Sequence, residues 1–331
     1  MVVGYHYIAH AGGKGAESAW GRAPAEVFSP IVRAVASYGF LGVELFFVIS
    51  GFVICMSCWG RSPREFLVSR VSRLYPAYVF AVLVTTAVLL AWPVVREPVN
   101  LPDLVANVTM FQVPLGAPHV DGVYWSLWVE MCFYLLFTLV VARGLTQSRV
   151  MTFCVIWLVA SIVVSQSDFP LLRLFAMPNY APFFIAGITM YLMRRFGTSP
   201  SLWALLGFSW CVACYRAVGL LPAAEKNTGL DLSFSVGVAV LTLGAGVVLL
   251  AALGRFDRVR WRGLALAGGV TYPLYLLHEA IGWTMIHGLR GHMSPYLVLV
   301  AVTVFMVVAS WLVYMCVDRP LGRRIRRLLA Q

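Results

Sequence analysis

Charge is scarce in this sequence. Only 12% of its 331 residues are Asp, Glu, Lys or Arg, and just 14 are acidic, where ordinary soluble domains carry about 25% charged residues. Hydrophobic side chains make up 60% of the chain and the mean hydropathy is +0.82. These numbers exclude a secreted or cytosolic enzyme and place the chain in a bilayer. No Lys/Arg run is interleaved with aromatics on a polar scaffold, so the net charge of +11 does not indicate a nucleic-acid partner. Loops that disulfides could staple are lacking too, because Cys55, Cys58, Cys132, Cys154, Cys211, Cys214 and Cys316 lie inside apolar stretches. The C-x-x-C pairs Cys55/Cys58 and Cys211/Cys214 have neither a second pair nor histidines in register. A four-ligand zinc site needs them, so no metal is expected. No internal repeat appears. The N-terminal MVVGYHYIA has neither the basic n-region nor the A-x-A-like cleavage site of a signal peptide.

What is there in abundance is apolar run length. A crossing helix takes about 20 mostly apolar residues. Cut at charges and turn residues, the runs predict nine spans, at 36 to 58, 77 to 95, 123 to 142, 150 to 165, 178 to 194, 201 to 221, 232 to 253, 266 to 288 and 295 to 317. MVVGYHYIA is too short to cross about 30 Å at about 1.5 Å per residue, and reads as the outer end of a tenth, truncated first helix. The fold expected is an all-α polytopic membrane protein of about ten helices, residues 1–331 forming one transmembrane domain with no separate soluble one.

Direction follows from the basic residues, which concentrate in cytoplasmic loops. With the N-terminus inside, the segments 59 to 76, 143 to 149, 194 to 200, 254 to 262 and 318 to 331 are cytoplasmic and hold 17 arginines. The opposite loops hold seven basic residues: Lys14, Arg22, Arg33, Arg96, Arg173, Lys226 and Arg290. Both termini are therefore expected in the cytoplasm. The longest outer loops, 10 to 35 and 96 to 122, are placed to cover a binding site.

A charge near the bilayer centre costs at least about 2.5 to 3.5 kcal/mol, so each intramembrane ionisable residue needs a reason. They are few: His6, Glu44, Glu130, Arg216, His278 and Glu279. Glu44 lies about eight residues, or roughly 12 Å, into its span from outside. Glu130 lies at a similar depth, His278 about ten residues from the outer end of its helix, and His6 near the outer end of its own. One such residue alone reads as a packing group satisfied by a neighbouring helix. Histidines and carboxylates from four helices at one depth read as an acid/base site. At the cytoplasmic end, Arg70 and Arg73 sit i and i+3 on one helix face, where two guanidinium forks would grip phosphates. The tail DRPLGRRIRR reads as topological or as attracted to anionic lipid.

Several segments resemble the membrane-bound acyltransferase 3 family. VVGYHY (2 to 7) is similar to the first-helix segment that ends in the family's essential His, here His6. GFLGVELFFVISGFVI (39 to 54) resembles the second-helix signature, with Glu44 where Asp is more usual. FLVSRVSRLYPAY (66 to 78) carries the R-x-x-R as Arg70 and Arg73, and YWSLWVEMCFYLLF (124 to 137) resembles the W-S-L-x-V-E segment, with Trp125, Ser126 and Glu130. TYPLYLLH (271 to 278) and VDRPLGRRIRR (317 to 327) resemble the closing segments. These segments in order are specific where any one would be weak. The family's usual basic residue some ten positions before the essential His would fall before Met1, and the chain has no room for the extracytoplasmic hydrolase-like domain that some members carry.

The resemblance implies O-acylation, most often O-acetylation, of a glycan or lipid-linked sugar. The donor would be acetyl-CoA or another acyl-CoA used as a co-substrate, with no tightly bound cofactor, and the enzyme would sit in a bacterial inner membrane. Arg70 and Arg73 would hold the donor's phosphates. His6, with His10 as its rival, would act as general base or acyl carrier. Glu130 is expected to orient His6, with Glu44 or His278 able to take that task. Tyr124 and Trp125 would stack on a sugar, and Ser126 would hydrogen-bond. The alternative is a proton-coupled secondary transporter, which also uses intramembrane Glu and His but favours two related halves, and no such symmetry is visible.

Overall fold

A computed structural model describes residues 1–10, 19–259, 261 and 263–329; Lys14, Arg260 and Arg262, three of the basic residues used for topology, lie outside the described residues. Every regular element among the described residues is helical. Among the described residues, eight helical stretches are long and apolar enough to cross a membrane: Pro30–Cys58, Pro63–Ala91, Gly122–Ala142, Gln147–Gln166, Pro170–Phe196, Pro200–Thr228, Phe234–Ala252 and Pro295–Leu329. They match eight of the nine expected spans. The remaining one, 266 to 288, is a continuous 27-residue helix, Gly263–Leu289, which carries His278 and Glu279. The chain is thus an all-helical polytopic membrane protein.

In chain order the elements used below begin with α1 (Val2–Gly4), continued by a π turn over Tyr5–Ala9. Then come α2 (Pro30–Ser37), α3 (Gly42–Cys58), α4 (Pro63–Ala91) and α5 (Leu101–Val108). They are followed by α6 (Trp125–Ala142), α7 (Gln147–Val163), α8 (Pro170–Ala176) and α9 (Ala181–Phe196). The rest are α10 (Pro200–Val218), α11 (Leu221–Thr228), α12 (Phe234–Ala252), α13 (Gly263–Leu289), α14 (Pro295–Val313) and α15 (Arg319–Leu329).

The second span starts well before the expected residue 77. Ser62 and Glu65 form a reciprocal capping box with Pro63 in the first turn, a combination that satisfies orphan amides and fixes a helix start. Arg70 and Arg73 therefore lie on a helix, and Pro76 is carried inside it.

The centre of the molecule is α9, whose residues Ala181 to Met193 are all buried, as expected of a helix apolar on every face. It meets α3 at the closest helix crossing. A Cβ on Gly51 would fall on the Phe184 carbonyl oxygen, and one on Gly187 on the Val48 carbonyl oxygen. In lipid, such small-residue contacts replace the hydrophobic drive between helices. Gly187→Ala is expected to cost about 1–3 kcal/mol, seen as a lower unfolding temperature in detergent, whereas Gly246→Ala, where a Cβ meets open space, leaves it unchanged. Peripheral helices bury one stripe each: Gly237, Leu241 and Ala245 on α12, and Val298, Val302, Met306 and Ser310 on α14. Their exposed apolar faces suit lipid.

Ion pairs link segments expected on the same side of the membrane. Arg194 meets Asp257 at 2.9 Å, and Arg73 meets Asp318 at 2.6 Å. At the other end of α4, Arg96 meets Glu279 at 3.3 Å. From Arg73 to Ala91 the helix rises about 27 Å, so the molecule has two chemically distinct ends.

Candidate active site

The π turn at Tyr5–Ala9 is held onto α13 by two side-chain hydrogen bonds. Tyr7 donates its hydroxyl to the His278 carbonyl at 2.7 Å, and Trp283 donates its indole N–H to the His6 carbonyl at 2.8 Å. Gly282 leaves the space that the Tyr7 hydroxyl fills. These contacts bring the His6 ring to the His278 ring, with His6 Nδ1 and His278 Nε2 2.8 Å apart.

Hydrogen-bond accounting fixes the tautomers. His278 Nδ1 faces the Tyr275 and Leu274 carbonyls at 2.8 and 3.1 Å, which only accept, so Nδ1 carries the proton. In the neutral ring His278 Nε2 is then an acceptor and His6 Nδ1 donates to it. His6 Nε2 is left with its lone pair. His6 lines a cavity of about 500 Å³, together with His10, Glu44, Arg96, Trp125, Tyr180 and Glu279.

Glu279 is the carboxylate beside that nitrogen, its Oε2 3.9 Å from His6 Nε2. Arg96 holds the other oxygen at 3.3 Å. A Cβ on Gly122 would stand 2.5 Å from Glu279 Oε1, so the glycine makes room for the carboxylate. Its neighbour Asp121 is fully buried and accepts from the Val123 and Ala280 amides at 3.2 and 3.0 Å, pinning the loop before α6 to the middle of α13.

The residues singled out in the sequence divide between two places. His6, Glu44 and Trp125 line the cavity and His278 stands directly behind His6. Glu44 is 3% exposed, and its Oε2 has no hydrogen-bond partner among the described residues. Trp125 and Tyr180 pack at 5.7 Å, giving the cavity an aromatic wall. His10 lines the cavity and stacks on Trp283 at 5.7 Å, but among the described residues its buried Nδ1 has no partner, and none of them orients it as His278 orients His6. Ser126 shares a 2.7 Å contact with the Tyr275 hydroxyl and reaches the Val123 carbonyl at 3.1 Å, which makes it a structural hydrogen bonder.

Two placements differ from expectation. Glu130 does not reach His6: its Oε1 accepts from Ser50 at 3.0 Å, Tyr134 stands beside the carboxyl, and the nearby charges acting on it are Arg70 and Arg73. Five residues beyond Trp125 it is about 7.5 Å deeper along α6 and turned by about 140°, which removes it from the cavity. Tyr124 is fully buried, packs on Tyr78 at 5.2 Å and reaches the Leu276 carbonyl at 3.3 Å; it braces α13 and does not face the cavity. Arg96, Asp121 and Gly122 were not singled out as site residues, although they lie in the outer loop 96 to 122 that was expected to cover a binding site. Glu279 was visible as an intramembrane acid.

At the opposite end Arg70 packs over the Phe66 and Tyr134 rings at 5.8 and 5.9 Å. Arg73 lies over Tyr272 at 5.5 Å and is paired with Asp318. The two arginines share a helix but have different surroundings.

Fold and site together define a polytopic membrane protein with a cavity lined by histidines and carboxylates at one end and arginines at the other. The family profile described as "Acyltransferase domain" matches residues 1–315, and the chain belongs to this acyltransferase 3 family. It is an acyltransferase, which sets aside the transporter alternative. The exopolysaccharide production protein ExoZ of Rhizobium meliloti (strain 1021) is 29% identical over 304 residues, covering 87% of this chain and 91% of that protein. Nodulation protein 10 of Rhizobium leguminosarum bv. viciae is 26% identical over 309 residues, covering 82% and 79%. No solved structure matches the chain.

Proposed function

We propose that this protein is a bacterial inner-membrane O-acyltransferase that moves an acyl group, acetyl in the first instance, from acyl-CoA to a hydroxyl of an exported or cell-envelope carbohydrate. The observation that carries the reading is the 2.8 Å contact of His6 Nδ1 with His278 Nε2, which leaves His6 Nε2 as the acceptor on a cavity with an aromatic wall. The name of the relative in exopolysaccharide production supports a glycan acceptor.

In this reading the acceptor hydroxyl gives its proton to His6 Nε2 as its oxygen attacks the thioester carbonyl carbon. The carbon–sulfur bond breaks, and the departing thiolate takes the proton back from His6 to leave as CoA thiol. While His6 is cationic, Glu279 at 3.9 Å offsets its charge, and Arg96 keeps that carboxylate in place. Trp125 and Tyr180 offer faces for a sugar ring. The donor enters from the arginine end. The Glu130–Ser50 pair lies about 9 Å from the level of Glu44, six residues further along α3, a polar step for the pantetheine arm between the two ends.

The test is transfer of label from labelled acetyl-CoA to envelope glycans in membrane vesicles, with and without the protein. Label in the glycan fraction, released by mild base as an ester is, is the expected result. Absence of label with acetyl-CoA and with longer acyl-CoAs, from folded protein, overturns the reading.

A further inference from the structure

The basic tail has a place in the fold that its sequence alone does not reveal. The chain leaves α14 through a π turn, Tyr314–Asp318, whose extra residue per turn brings Asp318 inward, where it is 4% exposed and meets Arg73. The following helix α15 then packs on α4 so closely that a Cβ on Gly322 would stand 2.6 Å from the Ser72 carbonyl oxygen. Between α15, α4 and the start of α13 lies a cavity of about 390 Å³, lined by Arg73, Arg319, Arg323 and Arg326.

Its charge is unbalanced. Asp318 is the one acidic residue on the wall, and it is taken up by Arg73. Arg323 and Arg326 have no ion pair among the described residues. Arginine forks converging on a concave surface match the oxygens of a phosphate.

We propose that this cleft binds a phosphate ester, gripped by Arg319, Arg323 and Arg326 together with Arg73, and that Asp318 stands in for the ligand on Arg73 when the cleft is empty. Two sources present this chemistry here, the nucleotide phosphates of the acyl donor and the headgroup phosphates of anionic lipid. Assignment to the donor rests on the acyltransferase reading above.

The full-length protein in phosphatidylcholine nanodiscs would be titrated with coenzyme A and with adenosine 3′,5′-bisphosphate. Lipid binding would be read as retention of phosphatidylglycerol by protein purified from mixed bilayers. The variant Arg319→Gln/Arg323→Gln/Arg326→Gln is compared with Arg324→Gln/Arg327→Gln, a double change on the same helix at arginines that do not line the cleft. Loss of charge-assisted bonds is expected to weaken one of the two ligand types by about tenfold or more in the triple variant, with the double variant close to wild type. Weakened nucleotide binding assigns the cleft to the donor, and weakened lipid retention alone assigns it to headgroups. Asp318→Asn, nearly isosteric, is expected to tighten the same ligand by releasing Arg73. Equal binding of every probe by wild type and triple variant overturns the proposal, as does equal loss in the double variant. Because binding is read without transfer, a protein that binds through these arginines but transfers no acyl group refutes the enzyme reading alone.

Discussion

Replacing His6 by Gln is expected to lower acyl transfer by about 10² to 10⁴, the range an oriented base supplies, with donor binding unchanged. The protein should stay folded, because the bonds that anchor this segment do not use the imidazole. Trp283 donates to the His6 backbone carbonyl, and Tyr7 donates to the His278 carbonyl. Glutamine keeps a donor for His278 Nε2 but offers no lone pair of comparable basicity to the cavity. His10→Gln is the matched control. His10 lies within 5.8 Å of the His6 ring and lines the same cavity, but no group among the described residues sets its tautomer, so its loss should change turnover by a few-fold at most. The assay is initial rate of label transfer at saturating donor, with folding checked by thermal unfolding. A full loss in His10→Gln with activity kept in His6→Gln would exchange their roles and undo the argument from hydrogen-bond accounting.

The helices were legible because apolar length is nearly the sole requirement for crossing a bilayer, and eight of the nine runs correspond to stretches of crossing length. Boundaries were less so: the start of α4 is set by the Ser62–Glu65 cap, which lies outside the apolar run. For the site, depth along each helix was readable and rotation was not. Glu44, Glu130 and His278 count to similar depths, but only Glu44 and Glu279 turn a carboxylate into the cavity, while Glu130 faces Ser50. A helix places consecutive residues about 100° apart, so adjacent His278 and Glu279 serve His6 from two directions, one behind the ring and one beside it. That arrangement needs the packing of α13 against the N-terminal π turn, a contact between residues more than 270 positions apart. Arg96 was hidden for another reason: loop residues carry no periodicity, and its role exists only where the loop folds back over Glu279.

Glu279→Gln is expected to cost more activity than Glu130→Gln, the reverse of what motif position alone would suggest. The effect is electrostatic. When His6 takes the acceptor proton it becomes a cation with the Glu279 carboxylate 3.9 Å away. At that distance the ionised carboxylate, which Arg96 favours and the buried Asp121 beside it opposes, would attract a unit charge by about 4 kcal/mol for an effective dielectric of about 20. Arg96 already draws on the same carboxylate at 3.3 Å, so about half of that is a fair share for the new charge, corresponding to a fall of about 10- to 100-fold. Because the attraction exists only once His6 is charged, the loss belongs in kcat, with KM for the acceptor little changed. Gln fills nearly the same volume, so the Gly122 cleft that accommodates the carboxylate should accept it. Arg96→Gln provides the cross-check, since it frees Glu279 from its anchor without neutralising it. The double variant Arg96→Gln/Glu279→Gln should then lose little more than Glu279→Gln alone, because both changes act on one carboxylate. Strictly additive losses would mean that Arg96 and Glu279 act independently, with Arg96 contacting the acceptor itself. A larger loss from Glu130→Gln, again in kcat at saturating donor, would move the carboxylate that supports the chemistry from the outer cavity to the Ser50 pair.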